Sequence, residues 1–247
     1  MRSGQGALRW RGERVAAVVL AGGIGRRFGT DKARAEIAGV RLLDRALAAT
    51  EGLAPVWVVA GPPERAATLA PLLPPHVRVV ADDRPGAGPI GGIATALRLA
   101  GVGWVAVLAV DLPLVERGWW SALMVAADRA AARRAGIDGG GPRDGPRAVA
   151  VRGADGRWEP LAALYHTDLA HEAAVRARPD GDPALQRLLT AAEAEAIALE
   201  DLPAGAAEAL HNVNTPGDTE LVVRRWRGGP SAPAGDDAGG GQGGEGA

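Results

Sequence analysis

The sequence predicts an α/β protein, a three-layer αβα sandwich around a mostly parallel sheet. Three observations carry the prediction. Short, nearly pure apolar runs recur at residues 15–20, 56–59, 77–80 and 104–110, as strands buried on both faces require. Segments with helical spacing of apolar residues, 41–49, 64–73 and 93–100, fall between them, so the strands are joined by crossovers. Glycine-rich stretches follow the first and third runs, at the strand ends where sites in open α/β sheets gather.

The first strand, 15–20, is preceded by a charged segment with no apolar stretch of its own, so residues 1–14 are expected to be a flexible leader from which Trp10 packs on the body. Residues 21–38 form a long loop with a short turn or strand at 35–38. In the helix over 41–49, Leu42, Leu43, Ala46 and Leu47 share one face. Pro55 introduces the second strand, and Pro74-Pro75 end the second helix. The third strand, 77–80, opens into the glycine-rich loop 81–92, and a helix over 93–100 leads to the fourth strand. That strand is almost wholly apolar and so belongs at the centre of the sheet.

Beyond it, residues 118–135 read as a long helix filled by Trp119, Trp120, Leu123, Met124 and Ala127, and 136–146 as a flexible connection. A strand at 147–151, a hairpin turn at 153–156 and a returning strand at 159–165 follow. Helices are expected at 168–177 and 183–190. Residues 193–199 read as either strand or helix, their Ala and Glu content favouring helix, and 217–225 are a final helix started by Pro216. Residues 226–247, rich in Gly and Ala and without apolar periodicity, are expected to be a disordered tail. One domain over 15–225 results.

Composition narrows the chemistry. The 247 residues contain no cysteine, which excludes disulfides, iron–sulfur clusters, thiolate zinc sites and cysteine nucleophiles. The formal net charge of −1 gives no footprint for nucleic acid. Four histidines are scattered at 76, 166, 171 and 211, and His166 and His171 are read as surface residues. No apolar run is long enough for a membrane span, so a cytoplasmic location with no membrane contact is expected.

Two stretches carry candidate chemistry. The first is Leu20-Ala21-Gly22-Gly23 with Gly25, Arg26, Arg27, Asp31 and Lys32 behind it. Glycines without Cβ atoms let backbone N–H groups approach a phosphate chain, and three cations stand close by. Lys32 is the sole lysine among 28 basic residues, and its compact charge differs in reach from a guanidinium. An ordinary βα turn accounts for glycines equally well, and neither the GxxxxGK[ST] nor the GxGxxG spacing is present. The second is Asp111, followed by Leu112 and Pro113 at the tip of the fourth strand. A carboxylate there can hold Mg²⁺, a hard cation that prefers oxygen ligands, or simply cap a turn.

The stretch LAGGIGRRFGTDKA resembles the N-terminal signature LAGGxxxRxGxDK of the molybdenum cofactor guanylyltransferases. His211-Asn212-Val213-Asn214-Thr215-Pro216 is similar to that family's NxNTP ending, and Asp111-Leu112-Pro113 to its metal-binding element. The resemblance spans roughly residues 15–223. It implies a Rossmann-like sheet of the nucleotide-diphospho-sugar transferase type, in which residues 193–199 are a strand. It also implies GMP transfer from GTP to the phosphate of molybdopterin, with Mg²⁺ as cofactor and pyrophosphate as leaving group. By resemblance, Arg27, Lys32 and Asp111 are catalytic, and Asp111 is the metal ligand. Leu20, Ala21, Gly22, Gly23, Lys32, Asp82, Gly88, Pro89, Gly91, Gly92 and Asp111 bind the nucleotide, and Asn212 and Asn214 approach the metal–phosphate region. Asp83 is a neighbour that could replace Asp82. Glu159 stands where the family more often has His or Gln, near the acceptor pocket. Transient contacts with cofactor-synthesis proteins or molybdoenzymes also follow from the resemblance. Cytidylyl transfer, another phosphorylated acceptor, and a nucleotide-binding module without catalysis are the alternatives.

Overall fold

A computed structural model describes residues 8–23, 31–101, 103–138, 146–177 and 183–227. The strands are β1 (Arg9–Trp10), β2 (Glu13–Leu20), β3 (Glu36–Ile37), β4 (Val40–Arg41), β5 (Val56–Val59), β6 (Val77–Val80), β7 (Trp104–Ala109), β8 (Ala148–Arg152), β9 (Trp158–His166) and β10 (Glu195–Ile197). The α-helices are α1 (Leu42–Ala49), α2 (Pro63–Leu69), α3 (Pro89–Ala100), α4 (Gly118–Asp138), α5 (Ala170–Arg176), α6 (Pro183–Ala191), α7 (Ala206–Ala209) and α8 (Thr219–Arg227).

The main sheet runs in the order β10-β8-β9-β7-β2-β5-β6, with β1 added to β2. The pairs β2–β5, β2–β7, β5–β6 and β8–β10 are parallel. Strand β9 is antiparallel to both neighbours, β7 and β8. A tight hairpin joins β8 to β9, with Gly153 N–H donating to Arg157 O at 2.8 Å, and such a turn can connect only antiparallel strands. The order reverses direction beside β2 and β7, so their C-terminal ends flank the natural crevice of the sheet.

Alternation along β2 divides two cores. Val15, Ala17 and Val19 lie in one with Leu42 and Leu43 of α1 and Trp120 and Leu123 of α4. Ala16 and Val18 lie in the other with Ile93 and Leu97 of α3 and Leu188 of α6. Successive strand residues point to opposite faces, so helices on both sides are what an all-apolar strand demands.

Three expectations change. Residues 8–14 of the expected leader are ordered: the chain turns at Arg11-Gly12 and lays β1 on β2. Trp10 is buried, donates from Nε1 to Asp128 at 3.0 Å, and meets the Trp104 ring at 4.5 Å between centroids. Helix α3 starts at Pro89, four residues earlier than its apolar spacing suggested. Proline at the first helical position is preorganised for a helix, and it draws Gly91 and Gly92 into the helix. Finally, His166 is not a surface histidine. Its ring lies between Glu13 Oε2 at 3.0 Å and Asp168 Oδ2 at 3.1 Å, edge-on to Trp104. The segment 193–199 contains the short strand β10, parallel to β8.

Candidate active site

The site is built at the C-terminal ends of β2 and β7. Ala21 N–H donates to Val59 O at 2.8 Å, and Val110 N–H to Leu20 O at 3.1 Å, which carry the parallel ladder one residue past each strand. The chain then turns, with Leu112 N–H donating to Ala109 O at 3.2 Å. That turn holds Asp111 at the sheet edge. Val213 N–H donates to Asp111 O at 2.8 Å, and its side chain is fully buried, so the Asn212-Val213-Asn214 segment is docked beside β7.

Lys32 comes from a single 3₁₀ turn, Lys32–Arg34, whose Asp31 side chain accepts from Ala33 N–H at 2.9 Å. This is the usual remedy for an unsatisfied donor at a helix start. Ala33 is wholly buried and anchors the turn. The Lys32 ammonium donates to Asp111 Oδ2 at 3.0 Å and to Asn214 Oδ1 at 2.8 Å. One cation therefore joins three stretches that are remote in sequence. Asp111 Oδ1 is buried and has no hydrogen-bond partner among the described residues. A hard cation could take that oxygen, since Lys32 occupies only Oδ2. No group of three or more His, Cys, Asp or Glu among the described residues could hold a metal, so any ion on Asp111 would take its other ligands from substrate and water, as Mg²⁺ commonly does.

Asn214 is itself positioned. Asp218 Oδ2 accepts from the N–H groups of Asn214 and Thr215, each at 2.8 Å, and these backbone bonds, that of Asn214 first, lower the Asp218 pKa. Asn212 is exposed two residues away. Arg27 lies outside the described residues, as do its neighbours Gly25 and Arg26.

The glycines divide by task. A Cβ on Gly22 would lie 3.3 Å from Gly61 N, so the loops after β2 and β5 meet backbone to backbone. Gly23 has nothing within 4 Å of such an atom and faces open space. Gly92 sits against Leu20: an added Cβ would come within 2.9 Å of Leu20 Cδ2, which places α3 close on β2. Gly88, before Pro89, has φ +70°, a conformation that favours glycine.

Asp82 faces inward, into its own loop. Its Oδ1 accepts from Arg84 N–H at 2.9 Å and from the buried Thr95 hydroxyl at 3.2 Å, while its own N–H donates to Gly61 O at 2.7 Å. Gly91 packs against the same loop: a Cβ there would lie 3.0 Å from both Asp82 Oδ2 and Arg84 O. Asp83 instead pairs with Arg98 at 2.7 Å on the surface and raises the pKa of that arginine, chiefly by hydrogen bonding. Glu159, on β9, lies at the same edge of the sheet as Asp111, because Leu108 pairs with Ala162. Burial raises its pKa, with Asp155 adding to the effect.

Sequence reasoning passed over Arg65. Its Nε donates to Ala21 O at 2.9 Å, and its Nη2 contacts Gly23 O and Asp31 Oδ1. The available signal was a cation in the first turn of α2, where the helix dipole disfavours positive charge.

With this geometry in hand, the relatives are informative. The model of the MobA-like NTP transferase domain matches residues 17–197. A probable molybdenum cofactor guanylyltransferase of Opitutus terrae is 37% identical over 182 residues, which cover 72% of this chain and 78% of that protein. The molybdenum cofactor guanylyltransferase of Pseudomonas aeruginosa is 34% identical over 203 residues, 81% of this chain and 89% of its own. Among solved structures, molybdopterin-guanine dinucleotide biosynthesis protein A of Archaeoglobus fulgidus superposes with a TM-score of 0.58 at 25% identity, covering 83% of this chain and 95% of that one. The 2-C-methyl-D-erythritol 4-phosphate cytidylyltransferase of Thermus thermophilus shares the fold, with a TM-score of 0.54 at 21% identity over 85% of this chain and 98% of its own.

Proposed function

The chain belongs to the MobA-like NTP transferase family, and from that premise we propose that it transfers GMP from GTP to the phosphate of molybdopterin, with or without its molybdenum. An oxygen of the acceptor phosphate attacks the α-phosphorus of GTP. The bond from that phosphorus to the bridging oxygen of the β-phosphate breaks, and pyrophosphate leaves. The product is a guanine dinucleotide joined through a new diphosphate. The observation that carries this reading is the Lys32 ammonium held between Asp111 and Asn214 at the crevice of the sheet, in a chain whose curated relatives are named guanylyltransferases.

Each residue has a physical task. The Leu20–Gly23 turn lies against the nucleotide; because the Ala21 N–H and C=O are taken by Val59 and Arg65 and the Leu20 C=O by Val110, the N–H groups of Gly22 and Gly23 are the ones assigned to its phosphates. Lys32 offsets charge on the transferring and leaving oxygens, the stabilisation a preorganised cation provides best. Arg27, outside the described residues, is assigned the same task from its motif. Gly88 and the first turn of α3, with Pro89, Gly91 and Gly92, shape the base side of the pocket, next to a loop whose form Asp82 maintains. Asn214, a neutral amide, receives Lys32 without adding repulsion, and Asn212 is assigned to the same phosphate region. The acceptor phosphate is already anionic near neutral pH, so no general base is needed.

Asp111 is the residue that would hold Mg²⁺, through the oxygen that has no hydrogen-bond partner among the described residues. When bound, such an ion supplies charge neutralisation and alignment at the α-phosphoryl group. No helix among the described residues is long and apolar enough to cross a membrane, and the cytoplasm, where nucleoside triphosphates are made, is the compartment the proposal requires.

The test is pyrophosphate release by purified protein with Mg²⁺, comparing GTP, CTP, ATP and UTP with and without molybdopterin. Release that needs both GTP and molybdopterin is expected. Release confined to CTP would move the chain to cytidylyl transfer, and nucleotide binding with no release in any combination would leave a binding module.

A further inference from the structure

Arg65 holds the chain at two points ten residues apart. Its Nε–H donates to Ala21 O at 2.9 Å, just past the end of β2. Its Nη2 group donates to Gly23 O at 3.4 Å and to Oδ1 of Asp31. That same Asp31 oxygen accepts from Ala33 N–H and so caps the turn bearing Lys32. The two side chains are 12% and 22% exposed, so the pair is shielded from most of the solvent that weakens surface ion pairs.

We propose that Arg65 is a positioning residue: by tying Asp31 to the end of β2, it sets the Lys32 ammonium against Asp111 and Asn214. The geometry requires an arginine. A planar guanidinium sends several directed donors to fixed acceptors, whereas a lysine ammonium is a point charge on a flexible stem. A cation in the first turn of α2 opposes the helix dipole, so the helix itself does not favour it; two carbonyls and a carboxylate do. A second tie, from Arg34 Nη2 to Thr68 O at 2.7 Å, links the Lys32 turn to α2. That bond reaches α2 and not the end of β2, so it does not fix that spacing.

Lys32 is the sole lysine of the chain, which gives a direct test that needs no activity. Reductive methylation with ¹³C-formaldehyde yields one lysine resonance, separate from that of the terminal amine, and its growth reports how firmly Lys32 is held. Arg65→Ala should accelerate it about tenfold, Arg65→Lys by less, and Glu64→Ala, a change on the exposed side of the same helix, not at all. All are compared at a temperature where melting curves show them folded. Methylation of Lys32 in Arg65→Ala at the wild-type rate overturns the proposal. If that variant does not fold, Arg65→Lys and Asp31→Ala are read by the same criterion.

The catalytic consequence rests on the guanylyl-transfer reading. There, Arg65→Ala should lower kcat about 10- to 100-fold, the scale of a small misplacement of a catalytic group. The double variant with Asp31→Ala should be no slower than the worse single, because both act through one link. Losses that multiply, or an unchanged kcat, count against the positioning role. If the wild-type protein turns over no nucleotide, the functional reading fails, while the methylation rates still decide the role of Arg65.

Discussion

Lys32 and Asp111 are 79 residues apart in sequence and 3.0 Å apart in space, joined by a hydrogen-bonded ion pair at the mouth of the sheet. Asn214 takes the second bond of the same ammonium, 182 residues further along than Lys32. An ammonium suits this slot because it is compact and its three donors rotate freely. Lys32→Ala should therefore reduce kcat for pyrophosphate release about 100-fold or more, the usual cost of losing a preorganised stabilising donor. Lys32→Arg should recover less than a tenth of the activity, since a planar fork does not fit a site shaped for a point charge. Near wild-type turnover in Lys32→Ala would remove the residue from the reaction.

Asp111→Asn separates charge from shape. The main-chain carbonyl that holds Val213 is untouched, so the Asn214 segment keeps its anchor. What is lost is the negative charge, together with one of the two carboxylate oxygens. The Mg²⁺ concentration for half-maximal rate should rise more than tenfold, because hard cations favour charged oxygen ligands. Titration of initial rate against Mg²⁺ measures this, and an unaltered curve would show that the ion is held elsewhere.

Asp82 should matter to stability more than to nucleotide affinity. Its Oδ1 satisfies Arg84 N–H and the Thr95 hydroxyl, and Thr95 is completely buried. Asp82→Ala leaves those donors with fewer partners, at about 1–2 kcal/mol. Urea unfolding should register that loss while the KM for GTP changes less than threefold. A large rise in KM with unchanged stability would instead place Asp82 against the nucleotide.

These contrasts show what the sequence made legible. The apolar runs identified every central parallel strand, because a strand buried on both faces has no polar positions to confuse the pattern. Asp111 was visible for the same reason: the first charge after β7 must emerge at the edge. The glycines at 91 and 92 misled, since they read as loop although Pro89 begins a helix there and Gly92 lets it approach Leu20. The β1 hairpin was hidden because two-residue strands carry almost no periodicity, and its anchor, Trp10, depends on Trp104 and Asp128 from distant elements. Arg65 escaped because its partners are two backbone carbonyls and one carboxylate. Carbonyls leave no mark in sequence, so a clamp made largely to them becomes visible only in three dimensions.

Two acids near the site should answer pH in opposite senses. Glu159 is held above the ordinary glutamate range, first by burial and then by Asp155. A folded-state pKa above the unfolded one means that ionisation opposes folding. The fold is thus free of this penalty below about pH 4.3, the ordinary value, and bears it in full once pH exceeds the raised value. Glu159→Gln, which keeps the shape and removes the charge, should stabilise the protein at pH 7, with a gain that shrinks as pH falls toward the unfolded value. Asp218 runs the other way. Its pKa is lowered by the N–H groups of Asn214 and Thr215, so its contribution is present at neutral pH and fades as pH drops through the lowered value. Asp218→Ala should destabilise at pH 7, with a loss that diminishes in acid. Urea midpoints for both variants across pH 2–8 measure the two slopes, that of Asp218 lying below the ordinary aspartate value of about 3.9. If Glu159→Gln shifts the midpoint equally at every pH, its effect comes from repacking at the edge of β9 and not from the cost of ionising a half-buried carboxyl group.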